Sequence, residues 1–347
     1  MVRRLLLAGL AIAPVSIALH WLASIGATAE FVLSALALVP LAWLIGEATE
    51  HAADHTGPGI GGFLNATFGN APELIIALIA IDRGLPEVVR GSLTGSVVGN
   101  LLLVLGFSLL AGGDGEVDGA STYLSFALIG IALAAFLIPA VPGWHGDPNR
   151  HSLAVASLPV AGGLLVLYVV VTWRSLRRHA ELHAGEDDAI SGWSFRLALV
   201  VLTAATAITA LVAEILVGSL EEFAHRAGLT DFFVAAVIVA VVGNAAEHGG
   251  AVLVAKRGKI KLAAEIATSS AAQVAVFLIP AVALLSWAID PLALSFRQVE
   301  LGALAGALAV AGIALMGGRS SRLRGLALIA AYGGVIVLFL SAGDRFG

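Results

Sequence analysis

The sequence has no cysteine and few charged residues. None of its 347 residues is Cys, which excludes disulfides, thiolate metal sites and Cys nucleophiles. Charged residues make up 12% of the chain, whereas soluble domains carry roughly 25%. Hydrophobic residues reach 59%. So few charges cannot cover a water-exposed surface, and we therefore expect most of the outer surface to face a lipid bilayer.

Large basic clusters are also missing. The formal net charge is −5, and no long block of Lys and Arg occurs. Because nucleic-acid affinity rests on such clusters, no nucleic-acid partner is expected.

Eleven segments are apolar enough to cross a membrane, which takes about 20 residues for a helix. They are 5–24, 31–50, 60–81, 91–111, 121–141, 152–173, 195–217, 231–255, 262–287, 299–316 and 324–341. A membrane β-barrel would instead show alternating segments of about ten residues. The predicted fold is an all-α polytopic membrane protein of about 11 transmembrane helices. We interpret the first segment as a retained span rather than a signal peptide.

The distribution of basic residues predicts the orientation. With a cytoplasmic N-terminus, the cytoplasmic side receives all but six of the 19 Lys and Arg residues. Those six are Arg83, Arg90, Arg150, Arg226, Arg297 and Arg345. The polar segment 174–193 is then cytoplasmic as well. We expect a multi-pass protein of the prokaryotic plasma (inner) membrane.

The two halves of the sequence share a motif. GNAPE at 69–73 recurs as GNAAE at 243–247. The copies lie in the third and eighth predicted spans. Because they are five spans apart, an odd number, the two copies must insert into the membrane in opposite directions. Inverted repeats are typical of secondary transporters, whose ion sites lie where the repeats meet. The predicted organisation is a leading helix (1–25), a five-helix repeat (26–173), a polar and acidic linker (174–194) and an inverted five-helix repeat (195–347).

The motif places Glu73 and Glu247 within hydrophobic spans. A charge at such depth costs at least about 2.5–3.5 kcal/mol and by default marks a functional site. Asn70 and Asn244 precede the glutamates by three positions, which predicts the same helical face. The adjacent residues Gly69, Gly243 and Pro72 are expected to loosen the helix and free backbone carbonyls.

Neighbouring spans offer further oxygen atoms. The fourth contains Ser92, Thr94, Ser96 and Asn100, and the ninth contains Thr268, Ser269, Ser270 and Gln273. A hard cation such as Ca²⁺ takes six to eight oxygen ligands from such groups. Small residues equally suit helix packing, so the sequence leaves ligation and packing open for each Ser and Thr.

At these motifs the chain resembles a known family. GNAPELIIALIA and GNAAEHGGAVLVAKRGKIKLAAEIATSSAAQ are similar to the two alpha repeats of the calcium/proton exchangers, the cation/proton branch of the calcium:cation antiporter superfamily. The resemblance implies that Glu73 and Glu247 exchange Ca²⁺ for protons. It also implies an ion-site lining of Asn70, Asn244, Ser96, Ser270 and Gln273, and matches Glu50, Glu214 and His248 to polar family positions. Pro72, opposite Ala246, departs from the repeat, and the central loop is only modestly acidic.

Two further polar groups have open interpretations. The side chains of Glu47, Glu50, His51, Asp54 and His55 form one stripe at helical spacing. They would admit cations or relay protons, or form a solvated helix end. In the linker, a regulatory cation site and a solvated loop are alternatives for Glu181, Glu186, Asp187 and Asp188. For His248, proton relay and helix packing are alternatives.

The paired glutamates suggest a transport cycle. Two facing carboxylates disfavour each other's ionisation, whereas one Ca²⁺ or two protons neutralise both. We therefore expect Ca²⁺/H⁺ antiport by alternating access, with spans 2 and 7 sliding. Mn²⁺ as substrate, Na⁺ as counter-ion and a passive channel are alternatives. An enzyme is disfavoured, since the chain lacks HExxH, Cys and a convincing Ser–His pair. The sequence leaves homo-oligomer formation open.

Overall fold

The computed structural model describes residues 2–23, 25–56, 61, 64–65, 67–182 and 192–343. Within these ranges the regular structure is almost entirely helical. The helices are α1 (Val2–Gly9), α2 (Ile12–Leu22), α3 (Ala27–Asp54), α4 (Ala71–Asp82), α5 (Pro86–Gly112), α6 (Gly119–Gly143), α7 (His151–Leu182), α8 (Phe195–Ala227), α9 (Asp231–Gly243), α10 (Ala245–Lys256), α11 (Ile260–Ala288), α12 (Gln298–Leu315) and α13 (Arg322–Ser341). Two short strands, β1 (Gly115–Glu116) and β2 (Arg319–Ser320), pair antiparallel.

The helices confirm an all-α, multi-pass membrane protein. In the described residues, nine helices are long and apolar enough to cross a bilayer, or ten if the bent pair α9 and α10 counts as one span. These ten match ten of the eleven predicted segments. The remaining segment, 60–81, lies partly outside the described residues, so the count of eleven stays a prediction.

Burial separates central from peripheral helices. Within an 18-residue apolar window of each helix, 83% of the window in α5 is buried inside the protein, compared with 11% in α1–α2 and 22% in α13. The peripheral helices expose large apolar side chains such as Trp21 and Leu323, as expected for surfaces that face lipid. The central position of α5 matters because it contains Ser96 and Asn100.

Glycine allows α5 to cross α9 at very short range. A Cβ atom on Gly95 would lie 1.9 Å from the carbonyl oxygen of Ala236, and one on Gly91 would lie 3.0 Å from that of Phe232. Small residues permit such backbone contact between membrane helices. This crossing fixes α5 against the helix that leads into the second motif.

The sequence repeat is also a backbone repeat. After α4 the chain turns at Gly84 (φ 71°), and after α10 it turns at Gly258 (φ 80°), the equivalent position. The next helices begin one residue after equivalent N-caps, Leu85 and Lys259. Both then contain a π-helical turn, at Gly99–Val104 in α5 and Val274–Leu278 in α11. The predicted boundaries 1–25, 26–173, 174–194 and 195–347 stay predictions; α7 continues as a helix into the linker.

Candidate ion-binding site

Two short helices, α4 and α10, begin at the asparagines of the repeated motif. Asn70 and Asn244 are their N-cap residues, with φ, ψ of −102°, 16° and −91°, 4°, and each helix has 12 residues. Glu73 and Glu247 therefore lie in first helical turns. There the backbone N–H groups lack intrahelical partners and the helix dipole favours negative charge.

The structure breaks both segments that contain the motif, 60–81 and 231–255, where the glycines and Pro72 predicted a locally loosened helix. The chain turns at 69–70 before α4, and α9 and α10 are bent by 55°. Asn70 and Asn244 are N-cap residues, three positions before the glutamates, and that each shares a face with its glutamate stays a prediction. Pro72 fits the first turn of α4, where its missing N–H leaves no hydrogen bond unmade.

Each glutamate lies close to the motif glycine of the other repeat. A Cβ atom on Gly243 would lie 3.4 Å from Cγ and 3.5 Å from Oε1 of Glu73. One on Gly69 would lie 3.8 Å from Oε1 of Glu247. The two motifs thus interlock, and their charges are close enough to interact. A side chain at Gly243 would therefore start in contact with the Glu73 carboxylate, whereas at Gly69 a Cβ atom would first meet the carbonyl oxygen of Asn65, at 2.5 Å.

Serine and asparagine side chains connect the second motif, with Glu247, to α5 and α11. The hydroxyl of Ser270 donates to Oε2 of Glu247 at 2.5 Å, and Asn100 Nδ2 donates to Ser270 Oγ at 3.1 Å. In the other direction, Asn244 Nδ2 donates to Ser96 Oγ at 2.8 Å. Hydrogen bonds therefore join all the helices that contain the predicted ion ligands Glu247, Asn244, Ser96 and Ser270.

Several oxygen atoms here lack a hydrogen-bond donor in the described part of the chain. They are Glu73 Oε2, Asn100 Oδ1 and Asn244 Oδ1, all buried. Buried polar atoms are normally satisfied, so unsatisfied acceptors beside two carboxylates suit a cation that prefers oxygen. No group of three or more His, Asp or Glu is placed to hold a metal within the described ranges. The site therefore offers two carboxylates and otherwise neutral ligands.

The structure separates the polar residues of the fourth and ninth spans. The hydroxyls of Ser92, Thr268 and Ser269 donate to carbonyls of their own helices, which argues for packing. Gln273 is half-buried, one turn beyond Ser270, without a side-chain hydrogen bond to the described residues. Asn100 was only one of several candidates in the sequence; its spacing of four from Ser96 was the signal that both lie on one face.

The α3 residues predicted for proton transfer or gating form no hydrogen bond or ion pair with the glutamate pair in the described part of the chain. On α3, Glu47 pairs with Arg3 at 2.6 Å and Glu50 is exposed. The ring centroids of His51 and Trp193 lie 5.0 Å apart, with the rings tilted by 34°. By contrast, the half-buried His248 directly follows Glu247.

The other predicted positions are at the far end of α4 and in the linker. Glu214, on α8, lies 3.6 Å from Arg83. Of the suggested regulatory residues, Glu186, Asp187 and Asp188 lie outside the described residues, as does the side chain of Glu181.

Broken helices whose first turns meet, with two carboxylates among neutral oxygens, define a multi-pass membrane transporter of cations rather than an enzyme. The chain belongs to the sodium/calcium exchanger protein family, which matches residues 26–177 and 197–341. Within it, the similarity is to the calcium/proton exchanger branch, as the sequence motifs predicted.

Relatives of known name are similar over nearly the whole chain. The Ca²⁺/H⁺ antiporter of Synechocystis sp. is 36% identical, covering 94% of this chain and 94% of the relative. The Ca²⁺/H⁺ antiporter ChaA of Bacillus subtilis is 35% identical, covering 94% and 95% respectively. The solved structure of native YfkE superposes with a TM-score of 0.82 at 32% identity, covering 98% of this chain and all of the other.

Proposed function

We propose that the protein is a Ca²⁺/H⁺ antiporter in which Glu73 and Glu247 bind either Ca²⁺ or protons. The observation that supports this most directly is the uncompensated pair of carboxylates. Neither forms an ion pair with Lys or Arg in the described part of the chain, and unsatisfied neutral oxygens surround them. The named Ca²⁺/H⁺ antiporters among its relatives support the same choice of ions.

Electrostatics supplies the coupling. With both carboxylates ionised and no ion bound, the site holds two like charges in a region of low dielectric, which is the costly state. One Ca²⁺ neutralises the pair, and two protons do so as well. Only the neutral forms convert readily between the two sides of the membrane, so Ca²⁺ moving one way is exchanged for protons moving the other way.

The neighbouring residues divide the remaining roles. The amides of Asn70 and Asn244, the hydroxyls of Ser96 and Ser270, and Gln273 complete the coordination by neutral oxygen. Gly69 and Gly243 leave space for the opposite carboxylate. His248, beside Glu247, relays protons. Proton access and gating are assigned to Glu47, Glu50, His51 and Glu214. For Glu181, Glu186, Asp187 and Asp188, a regulatory cation site and a solvated loop stay alternatives.

The contacts between loops support the proposed topology. The pairs Arg3–Glu47, Asp118–Lys261 and β1–β2 each join segments that the orientation places on the cytoplasmic side. Lys256, Arg257 and Lys259 lie with them. These contacts support the predicted distribution of segments between the two sides of the membrane; that this side is the cytoplasm of a prokaryotic cell, with Ca²⁺ exported, rests on its excess of basic residues.

The test is ⁴⁵Ca²⁺ uptake into proteoliposomes under an imposed pH gradient. We expect uptake that a protonophore abolishes, and its loss in both Glu73→Gln and Glu247→Gln. The matched control is Glu265→Gln, because Glu265 also lies on a membrane helix and accepts a serine hydroxyl, from Ser121 at 2.9 Å, yet is outside the site. Normal uptake by either site variant would refute the assignment.

The same assay separates the competing functions. Uptake driven by a Na⁺ gradient at clamped pH would identify Na⁺ as counter-ion. Preference for Mn²⁺ in competition would change the substrate. Flux that ignores the pH gradient would identify a passive channel instead of an antiporter.

A further inference from the structure

We divide the described helices into two groups: the long helices α3 and α8 with the N-terminal helices that contact them, and the helices that carry or adjoin the ion site, with α4 among them because it carries Glu73. The first, the long-helix group, consists of α1, α2, α3 and α8. Arg3 on α1 contacts Glu47 on α3 at 2.6 Å. The rings of Phe31 on α3 and Phe223 on α8 stack at 4.1 Å between centroids. These contacts make the long-helix group a unit.

The second, the site group, consists of α4–α7 and α9–α13. Hydrogen bonds from Asn244 to Ser96 and from Asn100 to Ser270 link three of its helices at the ion site. At its two ends, further bonds join the helices through their loops, as between Ser320 Oγ and the Gly113 carbonyl at 2.8 Å.

One ion pair joins the two groups. Arg83, the C-cap of α4, lies 3.6 Å from Glu214 on α8. The other ion pairs between described residues stay within one group: Arg3–Glu47, His20–Glu30, His51–Asp54 and Glu222–Arg226 in the long-helix group, and Glu87–Arg90, Glu87–Arg297, Arg297–Glu300 and Asp118–Lys261 in the site group.

The residue of α8 directly beneath Arg83 is a glycine, Gly218, which has no side chain. A Cβ atom on Gly218 would lie 3.0 Å from Nη1 of Arg83, so the guanidinium passes directly over the helix backbone. Glu214 lies one turn before Gly218, and Glu222 one turn after it. A guanidinium over Gly218 therefore has a carboxylate within a turn in either direction, about 5.4 Å along the helix.

We propose that Arg83 is a positioning residue whose ion pair with Glu214 holds the long-helix group in one of two positions against the site group. This inference rests on the proposed alternating-access transport. In the described conformation Arg83 pairs with Glu214. A shift of α8 by about one turn breaks this pair and brings Glu222 towards Arg83. Because Arg83 is the C-cap of α4, whose first turn contains Glu73, the Arg83–Glu214 pair connects the ion-binding helix to the sliding one.

The energetic effect is modest and measurable. Both partners are substantially exposed, 40% and 62% by side chain, and exposed pairs of this kind change an equilibrium by about two- to five-fold. Such a change is large enough to redistribute two conformations of similar stability, although it does not unfold the protein.

The absence of native cysteine allows two spin labels to be placed without background. We choose Arg196→Cys at the start of α8 and Lys256→Cys at the end of α10. Both residues are exposed, and both lie on the predicted cytoplasmic side, away from the Arg83–Glu214 pair. Pulsed electron–electron double resonance in liposomes then measures the distance between the two spin labels, one on each group of helices. We expect Arg83→Gln and Glu214→Gln each to lower the population at the wild-type distance by about two- to five-fold relative to a second distance.

Double variants and a matched control test whether the pair itself is responsible. Combining Arg83→Gln with Glu214→Gln should add no further shift, and the exchange Arg83→Glu with Glu214→Arg should restore the wild-type distribution. His20→Gln with Glu30→Gln, a partly exposed pair at 2.9 Å within the long-helix group that the proposal does not involve, should leave the wild-type distance dominant. An unchanged distribution in the single variants, or additive effects, would overturn the proposal. The distances need no transport, so a failure of Ca²⁺/H⁺ exchange in the wild type would refute only the proposed function.

Discussion

Two regions of the molecule bury charged side chains, with opposite internal balance. The ion site contains Glu73 and Glu247 without a cationic partner. The second region, which we name the charge cluster, lies where α5 and α12 begin and contains Glu87, Arg90, Arg297 and Glu300. Arg90 and Glu300 are fully buried, deeper than either ion-site glutamate.

The charge cluster compensates itself. Glu87 contacts Arg90 at 2.5 Å, and Arg297 Nε lies 3.9 Å from both Glu87 and Glu300. Arg90 also donates to the Ala293 carbonyl at 3.1 Å. Two positive and two negative charges leave no net charge, so the cluster requires no mobile ion. The comparison teaches that uncompensated charge, rather than burial of charge, distinguishes a transport site from a structural one.

The largest effect is expected from giving the ion site an internal cation. In Asn244→Lys, an ammonium would replace an amide beside the carboxylates and neutralise part of their charge permanently. We expect ⁴⁵Ca²⁺ uptake to fall to the level of protein-free liposomes, and Ca²⁺ to stop raising the unfolding temperature.

The matched control is Asn244→Met, because a methionine side chain is nearly as long as that of lysine and has no charge. We expect it to bind Ca²⁺ more weakly yet retain measurable exchange, because both carboxylates remain uncompensated. Equal behaviour of the two variants would show that side-chain shape, and not charge, decides activity at this position.

The second effect is expected from unbalancing the charge cluster. Arg90→Met leaves Glu87 and Glu300 with less positive charge around them, and breaking a buried pair in this way costs about 3–5 kcal/mol of stability. Thermal unfolding in detergent measures the loss. Adding Glu87→Gln to Arg90→Met should recover much of it, since a neutral pair no longer buries an isolated charge.

Transport per folded molecule separates the two regions. For Arg90→Met we expect uptake, normalised to correctly folded protein, to remain within about two-fold of the wild type, since a structural cluster acts through stability. A loss of uptake in stable, folded protein would instead assign the cluster a part in transport.

The sequence was sufficient to find one region and insufficient to find the other. The motif occurs twice, and each copy places its glutamate, Glu73 or Glu247, within an apolar span. The sequence repeat and the depth in the membrane therefore both indicated these residues. Arg90 and Arg297 lie at the ends of spans, where basic residues normally mark loops. Their burial depends on the loop at 288–297 folding back onto α5, which no local pattern records.

The local sequence pattern also did not predict the breaks in the helices. The segment 231–255 is apolar throughout, and hydropathy does not register an interruption in which polar neighbours satisfy the freed backbone groups. The motif glycines predicted loosening, but the turn at Asn70 and the 55° bend after Gly243 follow from tertiary packing of the two motifs. The backbone repeat at Gly84 and Gly258, in contrast, was implicit in the sequence match.

A smaller effect is expected from the hydrogen bonds that orient the ion ligands. Ser270→Ala removes both the donor to Glu247 and the acceptor of Asn100. Supporting or ligating groups of this type are worth about 10–100-fold in metal affinity. Isothermal titration with Ca²⁺ measures the change. Ser121→Ala, which removes the donor to Glu265, should leave the affinity within two-fold; an equal loss in both would contradict the assignment of Ser270.

The smallest effect is expected at an ion pair in water, which completes the comparison. Asp118 caps α6 and accepts a hydrogen bond from Lys261 at 2.9 Å. This bond, with those from the backbone N–H groups of Ser121 and Ala120, lowers the pKa of Asp118 from its usual 3.8. Because the folded pKa lies below the unfolded one, the stabilisation is present above the unfolded pKa and is lost as pH falls through the folded pKa. Comparing the thermal unfolding of the wild type and Asp118→Asn should therefore show a small difference at neutral pH and none in acid.

About 1 M salt should also reduce that difference, since the screening length is then about 3 Å, whereas the buried charge cluster should keep its contribution. A salt-insensitive Asp118 would place this pair with the buried charges.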